Sequence, residues 1–167
     1  MPPAPNGSRP RVLIAGGGVA GLETLLALHA LAGDLLEITI VAPELKFINR
    51  SMSVDQPFER QRVRGLRLQE TAVELGARWH QGALDRVEHE RHLVVTRDGD
   101  ELLYDRLVLA LGAHPEREWH SEGVLTYHGG RDGPNYRLLL HQLFEGRVNR
   151  VAFVKPAGAS WPLPLEL

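Results

Sequence analysis

The stretch RVLIAGGGVAGLETLLALHALA, from Arg11 to Ala32, constrains the fold more than any other part of the chain. Val12-Leu13-Ile14-Ala15 is a short apolar run that ends in three glycines, as expected of a parallel strand buried on both faces. Helix formers follow from Val19 to Ala32, with one glycine and no proline. Leu22, Leu25, Leu26 and His29 fall at i, i+3, i+4 and i+7, which predicts one buried helix face. Gly33-Asp34 predicts the helix stop, and Glu37-Ile38-Thr39-Ile40-Val41 a second strand ended by Pro43. Strand, tight glycine turn, helix and strand within about 30 residues make a βαβ unit.

The turn itself, Gly16-Gly17-Gly18-Val19-Ala20-Gly21, satisfies G-x-G-x-x-G. Each glycine of the pattern has a mechanical role. Gly16 permits the tight turn, Gly18 lets a phosphate approach the backbone, and Gly21 lets the helix pack closely. The helix N-terminus then offers free N–H groups and partial positive charge to a pyrophosphate. In this motif an acidic residue at the end of the second strand accepts the ribose hydroxyls. Here the strand ends Ile40-Val41-Ala42-Pro43-Glu44, and Ala42 cannot accept. Glu44 is either the displaced ribose partner or a solvated surface glutamate.

Downstream, residues 45–64 have no clean period and predict a long connection, including FINRSMSVDQPF, whose mixed polar and aromatic content suits a site-lining loop. Residues 68–75 predict a short helix capped by Gly76, and residues 77–80 a third parallel strand. Residues 84–88, 92–96 and 101–104 then predict a three-stranded antiparallel meander. Its Asp98-Gly99 pair is a hairpin signal of the kind type I′ turns use. Arg106-Leu107-Val108-Leu109-Ala110 is another apolar strand. A polar connection over residues 113–133, a helix over 136–144 stopped by Gly146, and a buried strand over 151–154 complete the reading. The expected organisation is a tail at 1–10, a nucleotide-binding domain at 11–112, and a connection with a second unit at 113–167.

Composition narrows the function classes. With 43% hydrophobic and 24% charged residues, the 167-residue chain is that of a globular domain able to bury a core. A net charge of −2 gives no support to nucleic acid or an anionic membrane surface as partner. The absence of cysteine removes disulfides, thiolate metal sites and cysteine nucleophiles. MPPAPNGSRP has no apolar core of a signal peptide, and no run of about 18 apolar residues occurs, so a soluble cytoplasmic protein without a transmembrane segment is expected. Among the eight histidines, His89 and His92 flank Arg91 around a turn and read as surface residues rather than metal ligands. His114 and His120 suit proton transfer, with nothing to fix their geometry. Ser160 has no nucleophile-elbow context, and the three tryptophans read as packing residues.

VLIAGGGVAGLE, the inserted meander and YDRLVLALGAHP together resemble the two-dinucleotide-binding-domain flavoprotein oxidoreductases, a branch of the pyridine nucleotide-disulfide reductase-like superfamily. Within them the chain is most similar to the type II NADH dehydrogenase and sulfide:quinone oxidoreductase group. The resemblance covers most of residues 11–167. It implies a Rossmann-like α/β FAD-binding domain with a parallel sheet and an inserted meander, then the start of a second, NAD(P)H-binding unit. It assigns Gly16, Gly18, Val19, Ala20 and Gly21 to the pyrophosphate of FAD and Glu44 to its ribose. Arg50 falls toward the flavin side, and Ala83 has its backbone beside the adenine. Ala110-Leu111-Gly112 matches the family's Ala-Thr-Gly turn, with leucine in place of threonine. RVAFVKPAGASWPLPLEL is similar to the opening of the second domain, with Pro156 and Ala157 altering its glycine turn and Trp161 where sulfide:quinone enzymes carry a cysteine. Sulfide oxidation through that cysteine is therefore not expected. The expectation is a fragment, a truncated reading frame or a degenerate paralogue.

Two functions from different classes follow. One is the FAD-binding portion of an NAD(P)H-dependent oxidoreductase that passes electrons to an acceptor such as a quinone. The other is a non-catalytic module that binds FAD, NAD or an adenine nucleotide. An inactive, aggregation-prone fragment is a third reading. The partners expected are a small-molecule cofactor and an electron acceptor. A homodimer is permitted, with nothing in the sequence to indicate one.

Overall fold

The structure is a computed structural model that describes residues 8–48, 65–112, 121–126 and 132–154. The chain divides into two compact units, one of residues 1–47 and 65–114, the other of residues 48–64 and 115–167.

The first unit is built on the βαβ stretch. Strand β1 (Arg11–Ala15) leads through the glycine turn to helix α1 (Val19–Ala32), and strand β2 (Glu37–Ala42) returns parallel to β1. Pro10 already belongs to this frame, since its carbonyl accepts the Glu37 N–H at 3.0 Å. Beyond β2, strands β3 (Lys46–Phe47) and β4 (Leu66–Arg67) pair as a short antiparallel ribbon that brackets residues 48–65. Helix α2 (Leu68–Glu74) and strand β5 (Arg78–Gln81) follow, and β5 adds to the outside of β2. Strands β6 (Leu84–Glu88), β7 (Leu93–Thr96) and β8 (Glu101–Leu103) form the antiparallel meander, and β9 (Arg106–Leu109) returns to pair parallel with β1. The parallel sheet runs β5-β2-β1-β9.

Alternate residues of the central strands serve two cores. Val12, Ile14, Ile38 and Ile40 pack against Leu25 of α1 and Ala72 of α2 on one face. Leu13, Ala15 and Val41 pack against Val94 and Tyr104 of the meander region on the other. A sheet covered on both faces explains why these strands read as continuous apolar runs rather than alternating ones. At the opposite end from the glycine turn, Asp105 joins β9 to β1. Its carboxylate accepts the Arg11 backbone N–H at 2.7 Å and the guanidinium at 3.0 and 3.2 Å. These three bonds, the guanidinium ones foremost, hold the Asp105 carboxyl down at about 2.

Three expectations need correction. The buried face of α1 is Gly21, Leu22 and Leu25 with Leu28 partly buried, whereas Leu26 is 46% exposed and His29 is exposed. The helix is apolar nearly all round, so spacing alone does not select the face that meets the sheet. The meander turn is not type I′. Gly99 has φ of +90° and donates to the Thr96 carbonyl at 3.0 Å, but Asp98 is not in the positive-φ region. Arg97 and Asp98 therefore make a type I-like turn closed by a left-handed glycine, the three-residue hairpin form.

The third correction concerns residues 151–154 of the second unit. They form no strand, and Val151, Phe153 and Val154 are 41%, 74% and 74% exposed. Apolar composition favours a strand only where another strand supplies the ladder, and no pairing to this segment occurs among the described residues. Helix α3 (Gly133–Phe144) begins three residues before the expected start because Pro134 is favoured in a first turn, and Gly146 follows its end with φ of +70°. Arg50, His114, His120, Ser160 and Trp161 lie outside the described residues.

Candidate functional site

The carboxyl ends of β1, β2, β5 and β9 meet at one edge of the sheet, where open α/β sheets place their ligands. Two segments about as far apart in sequence as the unit allows are joined there. The Ala110 N–H donates to the Ala15 carbonyl at 2.8 Å, and the Gly16 N–H donates to the Val41 carbonyl at 2.8 Å. Gly16 has φ of +121°, and a Cβ on it would overlap the Ala110 carbonyl. A Cβ on Gly21 would in turn overlap the Gly16 carbonyl, with the Ala110 methyl 3.7 Å away. The Gly16–Gly21 turn and the Ala110–Gly112 turn thus pack backbone to backbone. A side chain at Gly16 would push the two turns apart, and one at Gly21 would strike the Gly16 carbonyl within its own turn.

Gly18 differs from both. A Cβ on it would meet nothing within 4 Å, so this position faces open space. Gly18 is also the N-cap of α1. No side chain caps the helix, no acidic residue stands in its first turn, and the first intrahelical bond is Leu22 N–H to the Gly18 carbonyl at 3.0 Å. The N–H groups of Val19, Ala20 and Gly21 consequently have no acceptor within the helix. An open backbone surface ahead of an uncapped helix start is suited to an anion, and to a phosphate in particular.

On the β2 side, Ala42 ends the strand and is 1% exposed. The Gly17 position, absent from the expected site, closes against it: a Cβ there would lie 2.6 Å from Leu68 Cδ1 and 3.1 Å from the Ala42 methyl. Leu68, itself 1% exposed, and Ala42 thus both border the Gly17 position. The third consecutive glycine was the available signal for Gly17. Leu68 had none, because its contact depends on the Leu68 N–H bond to the Leu45 carbonyl at 3.1 Å, which sets α2 beside the ribbon. Glu44 is exposed in the loop two residues past β2. Ala83 links β5 to the meander, and its carbonyl accepts the Arg97 N–H at 2.8 Å. Leu111 is 54% exposed, and Gly112 has φ of +72°.

The histidines are used otherwise. His92 stacks on Tyr104 at 5.6 Å and lies 6.1 Å from His89. His80 Nε2 lies 3.1 Å from Asp100 Oδ2, linking β5 to the hairpin loop. No group of three metal-ligating side chains occurs among the described residues.

Residues 5–150 match the sequence model of the pyridine nucleotide-disulphide oxidoreductases. The chain belongs to this family. A human relative, pyridine nucleotide-disulfide oxidoreductase domain-containing protein 1, is 27% identical over 164 residues, covering 94% of this chain and 31% of that protein. Among solved structures, the sulfide:quinone oxidoreductase of the hyperthermophilic bacterium Aquifex aeolicus has a TM-score of 0.73 at 20% identity, over 81% of this chain and 32% of that one. NDH2 of Plasmodium falciparum, solved in complex with NADH, has a TM-score of 0.60 at 15% identity, over 87% and 32%. At these identities the structural likeness shows the Rossmann-like fold alone. The chain spans about a third of the length of the relatives it matches. No helix among its described residues is long and apolar enough to cross a membrane.

Proposed function

We propose that this oxidoreductase chain is the cofactor-holding part of an NAD(P)H-dependent flavoprotein, with the ADP portion of FAD in the Gly16–Gly21 turn. The observation that carries the reading is the turn's two-sided character. Gly16 is backed against Ala110 and Gly21 against Gly16, while Gly18 faces open space ahead of an uncapped helix. The residues fit the group: a pyrophosphate needs a close backbone approach, and a Cβ at Gly18 would fill that space.

In this reading the Gly18, Val19 and Ala20 N–H groups hold the pyrophosphate, and the α1 dipole offsets part of its charge. Glu44 approaches the ribose from the loop after β2, and the Ala83 backbone borders the adenine. Ala110, Leu111 and Gly112 support the turn from behind. A bound FAD would supply hydride acceptance from reduced nicotinamide and electron transfer to an acceptor, of which a quinone is the first to test. The chain's own part is to bind and orient.

The test is titration of the purified chain with FAD, NAD and ADP, followed by visible absorbance, calorimetry and melting temperature. The reading expects saturable FAD binding, competition by ADP, and a nucleotide-dependent rise in melting temperature. Binding of ADP or NAD without FAD would make the chain a dinucleotide module instead. No binding of any of them would reject a nucleotide site altogether.

A further inference from the structure

We infer that Gln81 recognises the adenosine ribose, as a neutral acceptor in the neighbourhood where this motif ordinarily carries an acid. The inference rests on the nucleotide reading of the glycine turn and adds to it a residue that no sequence pattern marks. Ala42 occupies the usual acidic position, and its methyl group is buried beside Gly17. No polar side chain can reach a ligand from that point. The next strand supplies one. Gln81 is the last residue of β5 and stands in direct register with Ala42 at the end of the β2–β5 ladder.

In-register residues of parallel strands project to the same face, and adjacent strands lie about 4.8 Å apart. The Gln81 side chain therefore starts one strand spacing from Ala42, on the face where Ala42 meets the glycine turn. Ala42 is 1% exposed, whereas Gln81 is exposed. Its carboxamide makes no hydrogen bond among the described residues, while the neighbouring backbone is engaged, with the Gly82 N–H donating to the Ala42 carbonyl at 3.1 Å. Gln81 is thus an exposed polar side chain at the carboxyl edge, in register with Ala42 beside the turn. The ribose has two hydroxyls, so an acceptor at Gln81 and a carboxylate at Glu44 are compatible. The carboxamide oxygen accepts one hydroxyl proton in a hydrogen bond.

The experiment measures ADP, 2′-deoxy-ADP and 3′-deoxy-ADP binding by calorimetry, in the wild-type chain, Gln81→Ala and Gln81→Glu. Removing one neutral hydrogen bond predicts a loss of roughly three- to tenfold in ADP affinity for Gln81→Ala. The loss disappears with the deoxy-analogue that lacks the contacted hydroxyl. Gln81→Glu keeps an acceptor of the same reach and stays within about threefold of wild type. Unchanged ADP affinity in Gln81→Ala overturns the inference. So does an equal loss for all three nucleotides, or a Gln81→Glu variant as weak as the alanine. A wild-type chain that binds none of the nucleotides overturns the site reading itself and the Gln81 role with it.

Discussion

Gly16 and Gly18 stand two residues apart in one turn and have opposite surroundings. A side chain at Gly16 would strike the Ala110 carbonyl and would also hold an L-residue at φ of +121°. Gly16→Ala is expected to cost roughly 2–4 kcal/mol of stability, as strain and backbone overlap add. Gly18 has φ of −80° and ψ of −170°, which alanine adopts freely, and its Cβ direction is empty. Gly18→Ala is expected to change stability by less than about 0.5 kcal/mol, as at unconstrained surface sites. Chemical denaturation of both variants checks the contrast. Asp105 supplies a second prediction at this scale. Its carboxyl, held at about 2 by Arg11, is depressed in the folded state, so it contributes stability above its ordinary range and loses it on acidification. Between about pH 4 and pH 2 the wild type should lose about 1 kcal/mol more than Asp105→Asn, the full shift being reduced by partial exposure of both partners. Denaturant midpoints across that range measure it.

At the scale of the element, legibility followed locality. The β1–α1–β2 stretch was readable because strand run, glycine turn and helix lie in sequence order, and the meander because its short strands flank a hairpin glycine. The β3–β4 ribbon was not readable. Its two-residue strands have no period, and they pair across residues 48–65. The buried face of α1 was missed by one position because Leu25 and Leu26 are chemically identical, and only the sheet distinguishes them. That distinction is testable. Leu25 is 0% exposed and Leu26 46%, so Leu25→Ala is expected to cost roughly 2–5 kcal/mol and Leu26→Ala about 0.5 kcal/mol or less. Urea unfolding of the pair separates the two faces. Residues 151–154 teach the converse: an apolar run carries strand propensity, but a strand exists only with a ladder partner.

At the scale of the whole molecule, the first unit is a sheet with helices on one face and a meander on the other, and its carboxyl edge brings two distant glycine turns together. The glycine motif announced one half of that edge. The other half, Ala110, was identified only through the resemblance, because nothing in local sequence says that its carbonyl will back Gly16. Ala42 is buried and borders Gly17, as does Leu68 of α2, a long-range packing arrangement that one sequence does not display. The central claim is that the Gly18 opening is a pyrophosphate cradle. The most direct measurement is FAD affinity of the wild-type chain and of Gly18→Ala by calorimetry, with melting temperature recorded for both. The account predicts saturable FAD binding by the wild type, a loss of at least about tenfold in Gly18→Ala, and matching melting temperatures without nucleotide. FAD bound equally well by both proteins, or by neither, would contradict it.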